Sequence, residues 1–221
     1  REEEEIPDYP VNLFFTRDGY FKKITPLSLR MSGEHKLKEE DQITQHVEAS
    51  NTCELLFFTD RCQVYKAKAS DFSDTKASVL GDFIPAKLGM EDGENAIYMA
   101  VTKEYDGYVV IFFENGKIAK VDLSSYATKT NRRKLLGAYS DKSPVVSIHA
   151  IKEDTEFLLT SSQGRMLLVH TGAIQPKSTR NTQGVAAMTL KRGQRFLKAE
   201  PYQEGMLKNP DRYRKNLPAL G

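Results

Sequence analysis

The chain has 221 residues, 39% of them hydrophobic and 28% charged, with a formal net charge of +2, which is the composition of an ordinary globular protein long enough to build a core. No apolar run approaches the eighteen or so residues of a membrane helix, and Arg1 followed by Glu2, Glu3, Glu4 and Glu5 is the opposite of a signal peptide. Two cysteines, Cys53 and Cys62, are too few for a disulfide framework or a zinc site in a chain of this length, so a cytoplasmic protein without a membrane partner is expected.

Residues 1–10 read as an acidic linker. The first predicted hairpin follows at Asn12–Ile24 (NLFFTRDGYFKKI), and three later segments overlay on it without a gap: Leu55–Ala67 (LLFFTDRCQVYKA), Val109–Val121 (VVIFFENGKIAKV) and Phe157–Val169 (FLLTSSQGRMLLV). Each has an apolar incoming strand that reads as buried on both faces, a tight turn, and a mixed return strand. Asp18-Gly19 and Asn115-Gly116 are strong type I′ turn signals. Cys62 departs from that rule, so the second hairpin is expected to use a different turn. A second element, a polar turn followed by a half-buried strand, recurs at Leu37–Ala49, Leu88–Val101, Tyr139–Ala150 and Leu190–Ala199. Repetition at about fifty residues without a convincing amphipathic helix predicts an all-β, propeller-like chain. The expectation is about four blades of four-stranded antiparallel sheet forming a single domain over 11–204. Closure into a ring, with the last strands completing the first blade, would remove exposed sheet edges. Residues 205–221, with Arg212, Arg214 and Lys215 between Pro210 and Pro218, are expected to be a basic tail that carries charge without structure.

Charge is segregated along the chain. Asp71 to Glu94 holds Asp71, Asp74, Asp82, Glu91, Asp92 and Glu94 against Lys76 and Lys87, whereas Pro176 to Lys198 holds Lys177, Arg180, Lys191, Arg192, Arg195 and Lys198 and no acid. Such a chain could attract a polyanion on one side, or could simply carry two solvated faces of opposite sign. Catalytic and metal motifs are absent from the sequence, and His35, His46, His149 and His170 are scattered without ligand spacing. No cofactor is expected.

The absence of tryptophan rules out the Trp-Asp repeat. FFTRDGYFKKITPLSL and LLFFTDRCQVYKAKASDF resemble the blade repeat of the C-terminal domain carried by the A subunits of gyrase and topoisomerase IV, in which a buried strand, a T-x-x-G turn and a Lys- or Arg-bearing return strand follow one another. Lys36–Asp41 (KLKEED) and Gly184–Ala199 (GVAAMTLKRGQRFLKA) are similar to its inter-blade segments. The resemblance implies a β-pinwheel, in which neighbouring blades exchange strands, and a basic rim that bends or wraps double-stranded DNA. It implies that cleavage and ATPase residues lie elsewhere, the former in the remainder of the A subunit, the latter in the B subunit, so this segment does no chemistry. The Q-[RK]-R-G-G-[RK]-G box of gyrase corresponds to Arg30–Lys36 (RMSGEHK), which keeps one glycine and loses the basic run. Bending is therefore expected over tight wrapping.

Phosphate contacts require Lys and Arg. Lys23, Lys66 and Lys120 stand four residues after the turn position in three repeats, with Leu168 in the fourth, and are expected at the rim. Arg132, Arg133 and Lys134, after Asn131, form a basic cluster; Arg180, Lys191, Arg192 and Arg195 lie in the acid-free stretch; Arg17, Lys22, Arg61, Lys117 and Arg165 flank the turns. The competing reading is a protein-interaction propeller docking through the acidic sector Asp71–Glu94.

Overall fold

A computed structural model describes residues 5–129 and 132–221; residues 1–4 of the acidic linker and Asn131 of the basic cluster lie outside them. The stretch read as one domain divides into two compact units, residues 1–104 with 130–136, and residues 105–129 with 137–221.

The first unit contains β1 (Pro10–Thr16), β2 (Tyr20–Ile24), α1 (Pro26–Met31), β3 (Ile43–Ser50), β4 (Glu54–Thr59), β5 (Val64–Lys68), β6 (Asp82–Phe83), α2 (Ile84–Lys87) and β7 (Ala96–Thr102). The second contains β8 (Tyr108–Phe113) and β9 (Lys117–Asp122); after β10 (Lys134–Leu135), which returns to the first unit, it continues with β11 (Val145–Ile151), β12 (Glu156–Ser161), β13 (Met166–His170), β14 (Val185–Ala186) and β15 (Phe196–Pro201). Helix is confined to short pieces: α1 begins at Thr25, whose hydroxyl accepts the Ser28 N–H, with Pro26 supplying a preset φ at the first position.

Four antiparallel sheets result, with strand orders β3-β1-β2-β6, β10-β5-β4-β7, β11-β8-β9-β14 and β13-β12-β15. The central strands β1, β4, β8 and β12 are nearly wholly buried, whereas β3 alternates. The four predicted hairpins are thus β1–β2, β4–β5, β8–β9 and β12–β13, and the four half-buried elements are β3, β7, β11 and β15. Each half-buried strand pairs with the hairpin before it. β15 pairs with β12 and completes the fourth sheet, not the first as expected; the first sheet is complete by Phe83.

The turns differ from the type I′ expectation. Only one residue per turn has positive φ: Gly19 (96°), Cys62 (57°), Gly116 (85°) and Gly164 (73°). The amides of Gly19, Gly116 and Gly164 donate to the carbonyls of Thr16, Phe113 and Ser161, which is a β-turn closed by one left-handed residue. Cys62 follows the same geometry in a left-handed conformation that an L-residue adopts at some cost. The hydroxyls of Thr16, Thr59 and Ser161 accept backbone N–H groups of their turns, which gives the T-x-x-G pattern its physical content. In three sheets the register slips beside this position, at Phe15/Thr16, Phe58/Thr59 and Thr160/Ser161, and in the third it slips at Val145/Ser147 opposite it.

The fourth strand of a sheet arrives late in the chain. β6 pairs with β2 after the chain has formed β4–β5; β10 pairs with β5 after β8–β9; β14 pairs with β9 after β12–β13. Parallel bridges Lys23↔Asp74 and Val121↔Lys177 lead into two of these strands, and a third, Leu168↔Arg214, places the tail in the same position on β13. The tail is therefore structured: Leu217 and Ala219 pack on the second unit's core and Ala219 bridges to Met188. Apolar content at these positions, not net charge, decides the outcome. A glycine marks the crossing in each case. A Cβ on Gly81 would lie 2.3 Å from the Phe21 oxygen, on Gly184 2.3 Å from the Ile118 oxygen, and on Gly221 2.8 Å from the Met166 oxygen.

Each unit closes two sheets over one core. In the first, Leu13, Phe15 and Phe21 meet Leu55, Phe57 and Met99; in the second, Val110, Phe112 and Ile118 meet Phe157, Leu159 and Phe196. Each such side chain contributes about 1.5–3 kcal/mol on burial. Gly184→Ala adds a backbone clash to left-handed strain and is expected to cost about 3 kcal/mol or more. Gly193→Ala, with φ +80° but open space around it, should cost only about 1 kcal/mol. Urea denaturation of the two variants measures the difference.

Candidate nucleic-acid interface

The recurring lysine is not a rim charge. Lys23 and Lys120 are only 2% and 3% exposed, so neither can meet a phosphate, and the expectation for them is corrected. Lys23 Nζ donates to Asn51 Oδ1 at 2.6 Å and to the Ala69 carbonyl at 3.1 Å, with Asp74 at 3.4 Å. Lys120 Nζ donates to the carbonyls of Thr171 (3.0 Å) and Ile174 (3.1 Å) and pairs with Asp154 at 2.7 Å. The two networks match. In each unit a lysine on the return strand of one hairpin reaches the turn entering the next hairpin and the residues leaving it, stapling two sheets. Lys66 holds the same register opposite Leu56 and is half-buried; Leu168 is buried and apolar.

Lys22 is also withdrawn from the expected set, being 2% exposed. Its ammonium donates to His35 Nδ1 and to the Lys36 and Ala77 carbonyls, and burial pushes its pKa below the usual lysine value. The same network, with burial as its main cause and the Lys22 charge second, lowers the His35 pKa. Burial likewise holds His149 at about 4. Of the remaining first-unit candidates, Arg17 and Arg61 are exposed but engaged, and Lys134 is half-buried. Arg17 donates to the Glu40 carbonyl and meets Asp18; Arg61 pairs with Glu91 at 3.1 Å and donates to the Asp92 carbonyl; Lys134 lies 3.6 Å from Glu91 and over the Tyr65 ring. Arg132 and Arg133 are exposed.

The acidic sector is spent in the same way. Glu94 is buried against the Thr59 and Tyr65 hydroxyls, Asp74 accepts from Tyr9, and Asp71 accepts the Lys68 amide.

In the second unit Lys117 is half-buried, and Arg180 is half-buried with Nη1 on the Ser125 carbonyl. The structure brings together Arg165, Lys191, Arg192 and Arg195, all exposed. The Ser162 amide donates to the Arg195 carbonyl at 2.8 Å and the Arg195 amide returns to Ser162 Oγ at 3.1 Å, setting the 191–195 turn beside the β12–β13 turn. Among the described residues none of these four forms an ion pair. From Phe157 to Ala199 the chain carries seven basic residues and no acid.

The same backbone occurs in the first unit with opposite charge. Residues 91–95 read EDGEN and residues 191–195 read KRGQR. Gly93 and Gly193 have φ of 79° and 80°. The side-chain oxygen of Glu94 accepts the Glu91 amide just as that of Gln194 accepts the Lys191 amide. Asn95 and Arg195 carbonyls accept from Asp60 and Ser162. One turn geometry therefore carries three carboxylates in the second sheet and three cations in the fourth.

Cations that sequence reasoning left in a structureless tail also belong here. Arg214 forms a two-pronged pair with Glu156, Nε–Oε2 and Nη2–Oε1 both 2.8 Å, and a third contact with Asp211. The guanidinium holds the Glu156 carboxyl below the usual carboxylate range. Arg212 and Lys215 remain exposed on either side. Among the described residues no cluster could hold a metal ion, and no helix is long and apolar enough to cross a membrane.

Lys120→Met would remove the cation paired with Asp154 and one donor to each of the Thr171 and Ile174 carbonyls, and is expected to cost about 2–4 kcal/mol. The hydrogen bond from Lys120 lowers the Asp154 pKa, so the contribution is full above the unfolded value of about 3.9 and is lost as pH falls below it. Urea denaturation at pH 7 and pH 3 should therefore find wild type losing more stability on acidification than Lys120→Met.

The family model "DNA gyrase C-terminal domain, beta-propeller" matches residues 155–201, the fourth hairpin with its outer elements. The chain is 25% identical over 204 residues to the A subunit of the probable chloroplastic/mitochondrial DNA gyrase of Oryza sativa subsp. japonica, covering 86% of the chain and 21% of that protein. It is 23% identical over 191 residues to the A subunit of DNA topoisomerase 4 from Staphylococcus aureus, covering 84% and 24%. It thus spans between a fifth and a quarter of the length of these relatives. Among solved structures, a C-terminal domain of DNA topoisomerase IV superposes with a TM-score of 0.75 at 22% identity, over 90% of this chain and 63% of that one. The E. coli ParC C-terminal domain superposes with 0.64 at 14%, over 86% and 78%. The hairpin repeat, the family model, the relatives and the fold agree: this chain is related, in sequence and in fold, to the C-terminal domains of the gyrase and topoisomerase IV A subunits.

Proposed function

We propose that the chain is the non-catalytic, duplex-DNA-binding part of the A subunit of a bacterial, cytoplasmic type IIA topoisomerase, and that its second unit grips the phosphate backbone without reading sequence. Cleavage then resides in the remainder of the A subunit, ATP turnover in the B subunit; both are partners of this segment. The observation that carries the reading is the exposed, unpaired cluster of Arg165, Lys191, Arg192 and Arg195. Charge over the two units supports it: the first carries 16 basic and 20 acidic residues, the second 16 and 10. Cations of this kind displace counterions from DNA and give affinity that falls steeply with salt. A single basic end favours bending a duplex over wrapping it, in keeping with the missing basic run at Arg30–Lys36. Docking of a protein through the acidic sector is the weaker reading, because Glu94 is buried and Asp74 and Asp71, though exposed, already accept hydrogen bonds from Tyr9 and the Lys68 amide.

Fluorescence anisotropy with a 40-base-pair duplex across a salt series tests this. The variant Lys191→Glu/Arg192→Asp/Arg195→Asn reproduces the 91–95 turn at every position but Gln194, on the same backbone, and should fold normally. Wild type should bind with a steep negative salt dependence, and the variant should lose affinity with its log–log slope reduced by about three. Absence of salt-sensitive binding by wild type would overturn the proposal.

A further inference from the structure

We propose that the tail and the β12–β13 turn form a phosphate clamp, held shut by the Arg214–Glu156 pair, which grips a backbone phosphate of the duplex beside the 191–195 turn. The inference rests on the DNA-binding reading and adds a site to it. A cleft of about 230 Å³ opens between the two segments, lined by Arg165, Met166, Arg212, Tyr213 and Lys215 with Gly164 and Gly221. Three of the seven lining residues are cations. Arg165 and Arg212 have no acid partner among the described residues, and Lys215 contacts only the Gly221 oxygen, at 3.3 Å. Of the nearby carboxylates, Glu156 and Asp211 both pair with Arg214, which offsets one of their two charges and leaves the three cleft cations in excess. Gly164 has nothing near its Cβ position, so an oxygen can approach its backbone closely.

The cleft also has a rigid frame. The Leu168↔Arg214 bridge fixes the tail along β13, and Leu217 and Ala219 anchor it in the core. With Arg214 turned to Glu156, the residues on its two sides, Arg212 and Lys215, are left for the cleft. Arg165 belongs to both surfaces. The 191–195 turn lies on one side of the β12–β13 turn and the tail on the other, so the cations form one continuous anion-attracting face.

Glu156→Ala separates a clamp from a diffuse field. Removing an acid beside a DNA site strengthens binding if only net charge matters; releasing the tail weakens it if the clamp matters. Duplex affinity of Glu156→Ala is expected to fall about threefold or more, despite the added positive charge. Arg212→Ala/Lys215→Ala, which changes exposed side chains and leaves the anchor intact, should weaken binding about tenfold and reduce the salt slope by about two. Tighter or unchanged binding by these variants, with wild type still binding DNA, overturns the clamp and leaves the DNA reading standing. Should Glu156→Ala fail to fold, the double variant decides alone. If wild type does not bind the duplex at all, the DNA reading falls. The clamp is then judged by titrating pyrophosphate and following the Gly164 amide by NMR: a shift in wild type that the double variant lacks supports an anion site, and no shift overturns it.

Discussion

A return strand in these sheets has an open backbone edge, and the chain covers it only after building the next hairpin. β2 waits for β6, β5 for β10 and β9 for β14. Uncovered edges invite pairing with other chains, so the order of events along the sequence is a constraint on every repeat. It forces the incoming outer segment to cross a backbone at van der Waals distance, which is why Gly81, Gly184 and Gly221 recur at equivalent crossings. It also makes each of the first three sheets depend on the next hairpin, since none is complete until the chain has passed through that hairpin. The lysine staples reinforce the same join. Lys23 and Lys120 reach from a return strand to the next hairpin's entry turn and exit, the two places that must be aligned before the outer strand can return.

The inner parts of the fold were legible because they carry period. Runs such as Leu55–Phe58 and Val109–Phe113, each followed by a turn signal, read as strands buried on both faces, and β3 among the half-buried elements alternates. The outer strands were not, since β6, β10 and β14 are two residues long and no pattern survives at that length. Their absence from the sequence reading led to the expectation that the last strands complete the first blade. The turns were misjudged for a related reason: Asp-Gly and Asn-Gly signal a turn, but whether one or both residues are left-handed depends on the bulge beside it. Cys62 was the clue, since a non-glycine in the series argues for a single, tolerable left-handed position.

The candidate site was half legible. Spacing placed Lys23, Lys66 and Lys120 at one register correctly, but register does not give depth. Lys23 between Lys22 and Ile24, or Lys120 between Ala119 and Val121, is as consistent with a buried ammonium as with a snorkelling one. What decides is the presence of acceptors one hairpin later, at Asn51 and Asp154, and those positions lie about thirty residues away in sequence. The acid-free stretch, by contrast, was visible directly, and the structure gathers its turn residues into one face. The tail's share was hidden because its anchors, Leu217 and Ala219, are sparse among prolines and charges.

Basic residues in this chain do two jobs, and burial separates them. Lys22, Lys23 and Lys120 are internal donors whose loss would expose unsatisfied carbonyls; Arg165, Lys191, Arg192 and Arg195, on turns and without an ion pair among the described residues, are free to meet a polyanion. The turns are also where charge can change without disturbing the fold, as the pair EDGEN and KRGQR demonstrates on one backbone. In the first unit the turn cations are each offset by a local acid, Arg17 by Asp18 and Arg61 by Glu91. In the fourth sheet the corresponding acids are missing while the scaffold is the same. Attraction for an anion is therefore set less by where this chain has added bases than by where it has left out carboxylates, and a near-neutral protein can present one strongly positive end without any change of architecture.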